Sequence, residues 1–165
     1  MTTTINGDTG VSQCQPNSVS QDDLQSGVAG KGPAFRAKRT SAVTLTSGVS
    51  ANVVYNSIVD DTDSAYDNST GEFTAPVAGF YLFTATLSFS GTLTRALLDL
   101  VVPDGVIRLN DITANLSETA LSGSMVVYLD AGQKVRCTCL VIGTSPTYGS
   151  MSGVSQFSAA LVRAA

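Results

Sequence analysis

The side chains best suited to chemistry are an acidic run, Asp60-Asp61-Thr62-Asp63-Ser64-Ala65-Tyr66-Asp67, and a close pair of cysteines, Cys137 and Cys139. Hard cations take several oxygen ligands, and Asp61 with Asp63 matches the opening of a calcium loop. The pattern then breaks, because Ala65 and Tyr66 stand where an oxygen ligand and a glycine are required. The run therefore reads as a solvated loop between strands, with calcium the one cofactor it leaves open. A third cysteine, Cys14, makes the count odd and unsuited to a closed disulfide framework. Cys137 and Cys139 share one face of an apparent strand with Val135 and Val141. Positions i and i+2 on a strand are too far apart and too parallel to bridge comfortably, so both read as buried small hydrophobes. The chain has no histidine, which excludes Ser–His–Asp and Cys–His catalysis and the common zinc sites. Its 13 carboxylates include no pair set in an apolar motif that would split two pKa values for hydrolysis. The expectation is a protein that is not an enzyme.

From Pro33 onward the signals are those of β-structure. Tyr81, Phe83, Ala85, Leu87 and Phe89 alternate with Thr84, Thr86 and Ser88, the pattern of a strand with one buried side. Leu97–Val102 and Val106–Leu109 flank Pro103-Asp104-Gly105, where Pro presets φ and Gly accepts φ > 0, so a hairpin is expected. Further strands are expected near 34–40, 51–59, 123–129, 133–142 and 154–163, with Asp130-Ala131-Gly132-Gln133 joining two of them. Residues 143–153 are rich in Gly, Ser and Thr and read as a long polar loop carrying Tyr148 and Met151. Loops on rigid sandwiches are where binding residues sit, and these two are the candidates for receptor contact. Many short strands with Gly, Pro and Asp turns imply a sandwich or jelly roll.

Residues 1–32 are polar and carry only scattered apolar residues, so they read as an N-terminal arm ahead of a domain at 33–165. The start, Met1-Thr2-Thr3-Thr4-Ile5-Asn6, has neither the basic nor the apolar region of a secretion signal, and a chain made and folded in a cytoplasm is expected. No run approaches the roughly 18 apolar residues of a membrane span, so no membrane insertion is expected. A net charge of −4 argues against nucleic-acid binding, because Arg36, Lys38 and Arg39 are too few to displace counterions from phosphates. Charged residues make up only 13% of the chain, about half the usual share, which suggests that some surface is hidden between subunits.

One constellation is more specific than these patterns. Tyr55, Asp61, Tyr66, Phe73 and Gly79 recur at intervals that end in Gly79-Phe80-Tyr81-Leu82-Phe83. This resembles the signature of the globular head of complement's first-component q-type (C-one-q) family, a jelly roll of the tumour-necrosis-factor superfamily. Tyr55 stands where that family usually has Phe, and Ala85 where it usually has Phe or Tyr. Pro33-Ala34-Phe35-Arg36-Ala37 looks like its first strand. Val127-Tyr128-Leu129 with Gly132 looks like its late hairpin. Gln156 to Val162 looks like its last strand, with Ala159 where Gly is usual. The resemblance implies an all-β, ten-strand jelly-roll sandwich that assembles as a homotrimer and does no chemistry. It makes Phe35, Tyr81, Phe83, Tyr128 and Phe157 the candidates for the trimer interface or for the intradomain core, two environments that demand the same residue types.

The arm adds a second, shorter resemblance. Ile5-Asn6-Gly7-Asp8-Thr9-Gly10-Val11, Ser18-Val19-Ser20 and Asp22-Asp23-Leu24 resemble connecting segments of bacteriophage tail-fibre and head-fibre proteins. This implies a virion protein, joined to a fibre shaft or other virion proteins through residues 1–32, whose head meets a host surface glycan or protein. The alternative is a capsid decoration or bacterial surface-coat protein in which the trimer is a stabilising cap.

Overall fold

The structure, a computed structural model, describes residues 32–149, 151 and 153–165; residues 1–31 of the expected arm, Cys14 among them, lie outside these. Ten strands follow in order: β1 (Ala34–Lys38), β2 (Val43–Thr44), β3 (Ala51–Asn52), β4 (Ser57–Asp61), β5 (Tyr66–Asp67), β6 (Glu72–Thr74), β7 (Gly79–Val102), β8 (Gly105–Leu129), β9 (Lys134–Tyr148) and β10 (Gln156–Ala164). All pairings are antiparallel.

The ladder runs β4-β1-β10-β7-β9-β6-β5, with β2 and β3 added to β9 and β8 paired to β7 alone. It doubles over on itself to make a jelly-roll sandwich. The first leg of β7 pairs with β10 and with the second leg of β8, forming the inner sheet together with β1 and β4. The second leg of β7 pairs with β9 and the first leg of β8, forming the outer sheet. The corner falls between Ser90 and Arg95, where the register of β7 against β8 and β9 shifts. Bulges let a strand change direction without breaking its ladder, so the segments expected at 80–89 and 97–102 are one bent strand. Gly91 sits there at φ 127, and a Cβ on it would lie 2.8 Å from the Ser145 carbonyl oxygen.

The spaced signature residues converge in the core. Phe35 stacks on Tyr66 at 4.7 Å and on Phe73 at 5.2 Å, and meets Phe157 edge-on at 5.1 Å. Phe73 in turn meets Tyr81 and Phe83, each at 5.4 Å. Aromatic pairs at such separations each add about 0.5–1.5 kcal/mol beyond area burial. The departures from the family pattern have a packing reason. One cross-strand row reads Ala37–Phe157–Ala85 and the next Phe35–Ala159–Phe83, so each large ring lies between two small residues or each small residue between two rings. Ala85 and Ala159 are thus the small halves of a large–small checkerboard that fills the interior without overlap. Tyr55, where Phe is usual, donates its buried hydroxyl to the Thr86 carbonyl at 3.2 Å.

The segment 34–38 enters β1 at the pole where β10 ends, since Ala34 pairs with Ala160 and Ala164 with Gly79. Both described chain ends therefore lie at one pole, together with the Pro103–Asp104 hairpin turn and the turn at 130–133. The bend of β7, Gly149 and residues 153–155 lie at the opposite pole.

A candidate subunit interface

The outward face of the inner sheet changes character along its strands. At the pole with the chain ends, cross-strand rows bring together Ala160–Leu82–Val126 and Arg163–Phe80–Tyr128, with Val162 in the bulge between. Phe80, Leu82, Val126, Tyr128 and Val162 are each between 41% and 51% exposed, and the rings of Phe80 and Tyr128 meet edge-on at 5.3 Å. Five large apolar side chains in one contiguous patch is unusual on a monomer surface and marks a binding surface. Toward the other pole the next rows read Ser158–Thr84–Ser124 and Gln156–Thr86–Ser122, neutral and hydroxyl-rich, with Thr84 and Ser124 hydroxyls 3.0 Å apart.

The structure separates the five aromatic candidates. Phe35, Tyr81, Phe83 and Phe157 point into the sandwich and are at most 3% exposed, so they are core. Tyr128 alone lies on the outward patch. The alternation through Tyr81 and Phe83 marks only the inward side of β7, so it does not point to Phe80, Leu82, Val126 or Val162. The signal was present: Phe80 to Phe83 is an unbroken apolar run, as is Met125 to Leu129, and a strand that is apolar on both faces reads as a run rather than an alternation.

The receptor-loop expectation needs correction. Residues 143–148 belong to β9, and Tyr148 is buried, only 3% exposed. The Arg39 guanidinium lies 5.7 Å from the centre of its ring. The Gly, Ser and Thr content of this stretch concealed a strand whose inward positions are Pro146 and Tyr148, with β2 alongside on Val43 and Thr44. Met151 is half-buried, and its backbone N–H donates to the Ser88 hydroxyl at 3.2 Å. That hydroxyl is 2.9 Å from the Ser155 hydroxyl, and both serines are fully buried, so this segment is tied down on β7.

The acidic run is occupied by its own backbone. The Asp61 carboxylate accepts the N–H groups of Ala65 and Tyr66 at 2.9 and 3.0 Å, Asp60 pairs with Arg36, and Asp63 accepts the Thr62 hydroxyl. Asp67 accepts from Ser69, which holds its carboxyl below the usual range. These bonds fix the loop that places Tyr66 in the aromatic stack. Cys137 and Cys139 are buried with free thiols; burial pushes Cys137 up strongly and Cys139 to about 12. Thiols held protonated are poor nucleophiles and poor metal ligands.

Charge is concentrated on the outer sheet. Arg95 grips Asp111 through two bonds of 3.0 and 2.6 Å, Arg108 joins Asp111 to Asp99, and Glu72 takes both Lys134 and Arg136. The hydrogen bond from Lys134 holds the Glu72 carboxyl below the usual range, and that from Arg95 does the same for Asp111.

A jelly-roll sandwich with an aromatic core and a partly apolar inner-sheet face is a fold of the tumour-necrosis-factor type. The chain belongs to the C1q domain family, whose model matches residues 34–162. Among solved structures it is similar to the globular domain of zebrafish complement 1qA protein, with TM-score 0.63 and 24% identity over 81% of this chain and 100% of that one. It is similar as well to the tumour-necrosis factor Eiger from S. frugiperda, with TM-score 0.60 and 12% identity over 80% and 93% of the two chains. Murine APRIL at pH 8.0 matches with TM-score 0.59 and 8% identity over 79% and 98%. At these identities the structural matches show the fold. No curated protein matches the sequence.

Proposed function

We propose that the chain is the homotrimeric, non-enzymatic head of a virion fibre or fibre tip, adhering to a host surface glycan or protein. The observation that carries the trimer is the patch of Phe80, Leu82, Val126, Tyr128 and Val162, left half-exposed on a sheet whose other face is fully packed. Burying it against two further copies removes it from water. It also covers the far edge of the 25-residue β8, which has no strand partner among the described residues and is otherwise a template for uncontrolled strand addition. The virion setting rests on the fibre-like wording of residues 1–32. Adhesion then works by avidity: three weak contacts on one rigid body bind together at high effective concentration.

Native mass by light scattering tests the assembly. A value near three times 17.0 kDa is expected for the full chain, and a stable monomer overturns the reading. Adherence of the isolated trimer to host cells or surface polysaccharide is then expected. Binding to capsids and not to cells instead identifies a decoration cap.

A further inference from the structure

We propose that the subunits are keyed together by a salt link in which Arg163 of one copy enters a groove on β8 of the next and pairs with Asp104 and Asp130. The proposal rests on the trimer reading and goes beyond it by naming both sides of the seam.

The groove is built by the two legs of β8. They approach closely where Gly123 passes Leu109: a Cβ on Gly123 would lie 2.8 Å from the Leu109 Cβ. Below that approach, toward the pole of the chain ends, the legs diverge and leave a groove of about 410 Å³. Its floor is apolar, with Pro103, Ile107 and Val126. Its rim carries Tyr128 and two carboxylates, Asp104 from the hairpin turn and Asp130 from the next turn. Among the described residues neither carboxylate has a salt-bridge partner, and Asp130 accepts only the Tyr128 hydroxyl at 3.4 Å.

The complementary charge lies on the same sheet, two strands away. Arg36, Arg95, Arg108, Lys134 and Arg136 are paired with carboxylates, and Arg39 is bonded to Ser41 and to the Val54 carbonyl. Among the described residues this leaves Lys38 and Arg163, both exposed. Lys38 sits near the opposite pole, in the row of Gln156 and Thr86. Arg163 pairs with Phe80, which pairs with Tyr128, so it stands at the level of the groove and at the edge of the apolar patch. Within one chain β7 lies between β10 and β8, and no link forms.

Three-fold symmetry supplies the missing neighbour. Contacts in a three-membered ring are heterologous: one patch of a copy meets a different patch of the next. With the axis along the inner-sheet strands, rotation leaves heights unchanged, so groups on one level in one copy meet groups on the same level in the next. The open edge of β8 then faces the β10 side of its neighbour, and Arg163 meets Asp130 and Asp104. A planar guanidinium can bond carboxylates bidentately, and its stem suits the apolar floor. Such a link fixes register and orientation, since sliding or inverting one copy separates Arg163 from both carboxylates and leaves the charges unpaired.

The test is charge reversal in the full-length chain, read by native mass across a dilution series and by circular dichroism for the fold. Arg163→Glu alone, and Asp104→Lys with Asp130→Lys, are each expected to raise the concentration of half-dissociation by about tenfold or more. Combining all three reversals is expected to restore most of the loss, and 1 M salt is expected to shrink the single-side effects. A wild-type trimer whose reversals are neutral, or whose combined variant is as weak as the sum of its parts, overturns the keyed seam and leaves the trimer standing. A monomeric wild type overturns both.

Discussion

The two sheets present opposite surfaces to their surroundings. On the outer sheet the exposed side chains form an ion-pair ladder through Arg95, Asp111, Arg108, Asp99, Glu72, Lys134 and Arg136. On the inner sheet the β10, β7 and β8 positions of the rows from Phe80–Tyr128 to Thr86–Ser122 carry one charged residue, Arg163, at the margin, and Arg36, Lys38 and Asp60 lie beyond them on β1 and β4. Both faces belong to one continuous ladder and share β7 and β8, so the difference lies in side chains and not in backbone. A face clothed in paired charges is finished by water. A face of half-exposed Phe, Leu, Val and Tyr is the one the proposed trimer would cover.

The sharpest way to break this contrast is to charge the apolar patch. Leu82→Glu is expected to abolish trimer formation while leaving the monomer folded, because three carboxylates would be brought into one dry seam at several kcal/mol each. Native mass with circular dichroism reads both halves of that outcome, and a surviving trimer counts against the patch. Next in size is Phe157→Ala, which empties the centre of the aromatic stack on the other side of the same sheet. It is expected to cost about 3–5 kcal/mol in urea unfolding, with a melting shift that a surface aromatic would not give.

On the outer sheet the effects are smaller. Asp99 is nearly buried and held by Arg108, itself half-exposed, so Asp99→Ala is expected to cost about 1–2 kcal/mol after allowance for solvent screening. Asp111 and Glu72 have carboxyls held below their unfolded values, so they stabilise the fold above that range. That stability is lost as pH falls through the lowered folded values. Melting temperature is therefore expected to be level at neutral pH and to fall below about pH 4. In the Glu72→Gln, Asp111→Asn double variant the slope should be visibly shallower. The smallest change expected is at Arg95: Arg95→Gln removes an exposed pair and should move melting less than Asp99→Ala does.

The fold was legible because its signature is physical. Tyr55, Tyr66, Phe73, Tyr81 and Phe83 are spaced so that successive strands deliver rings to one stack, and Gly79 stands where a Cβ would run into the Arg163 carbonyl oxygen. The corner at Gly91 was not legible, since nothing in the sequence says that a ladder continues through a bulge. The interface was only half legible. Phe35, Phe157 and Tyr128 are the same kinds of residue, and only the fold shows that the first two face inward. Tyr148 misled because a strand made of Gly, Thr, Ser and Pro carries the composition of a loop.

The placement of both described chain ends at one pole has a practical meaning. Groups joined at Gly32 and at Ala165 would both start from that pole, so the proposed trimer would gather its six described ends on one side. The opposite pole, formed by the β7 bend, Gly149 and residues 153–155, is then the side from which a cargo fused at either described end does not start.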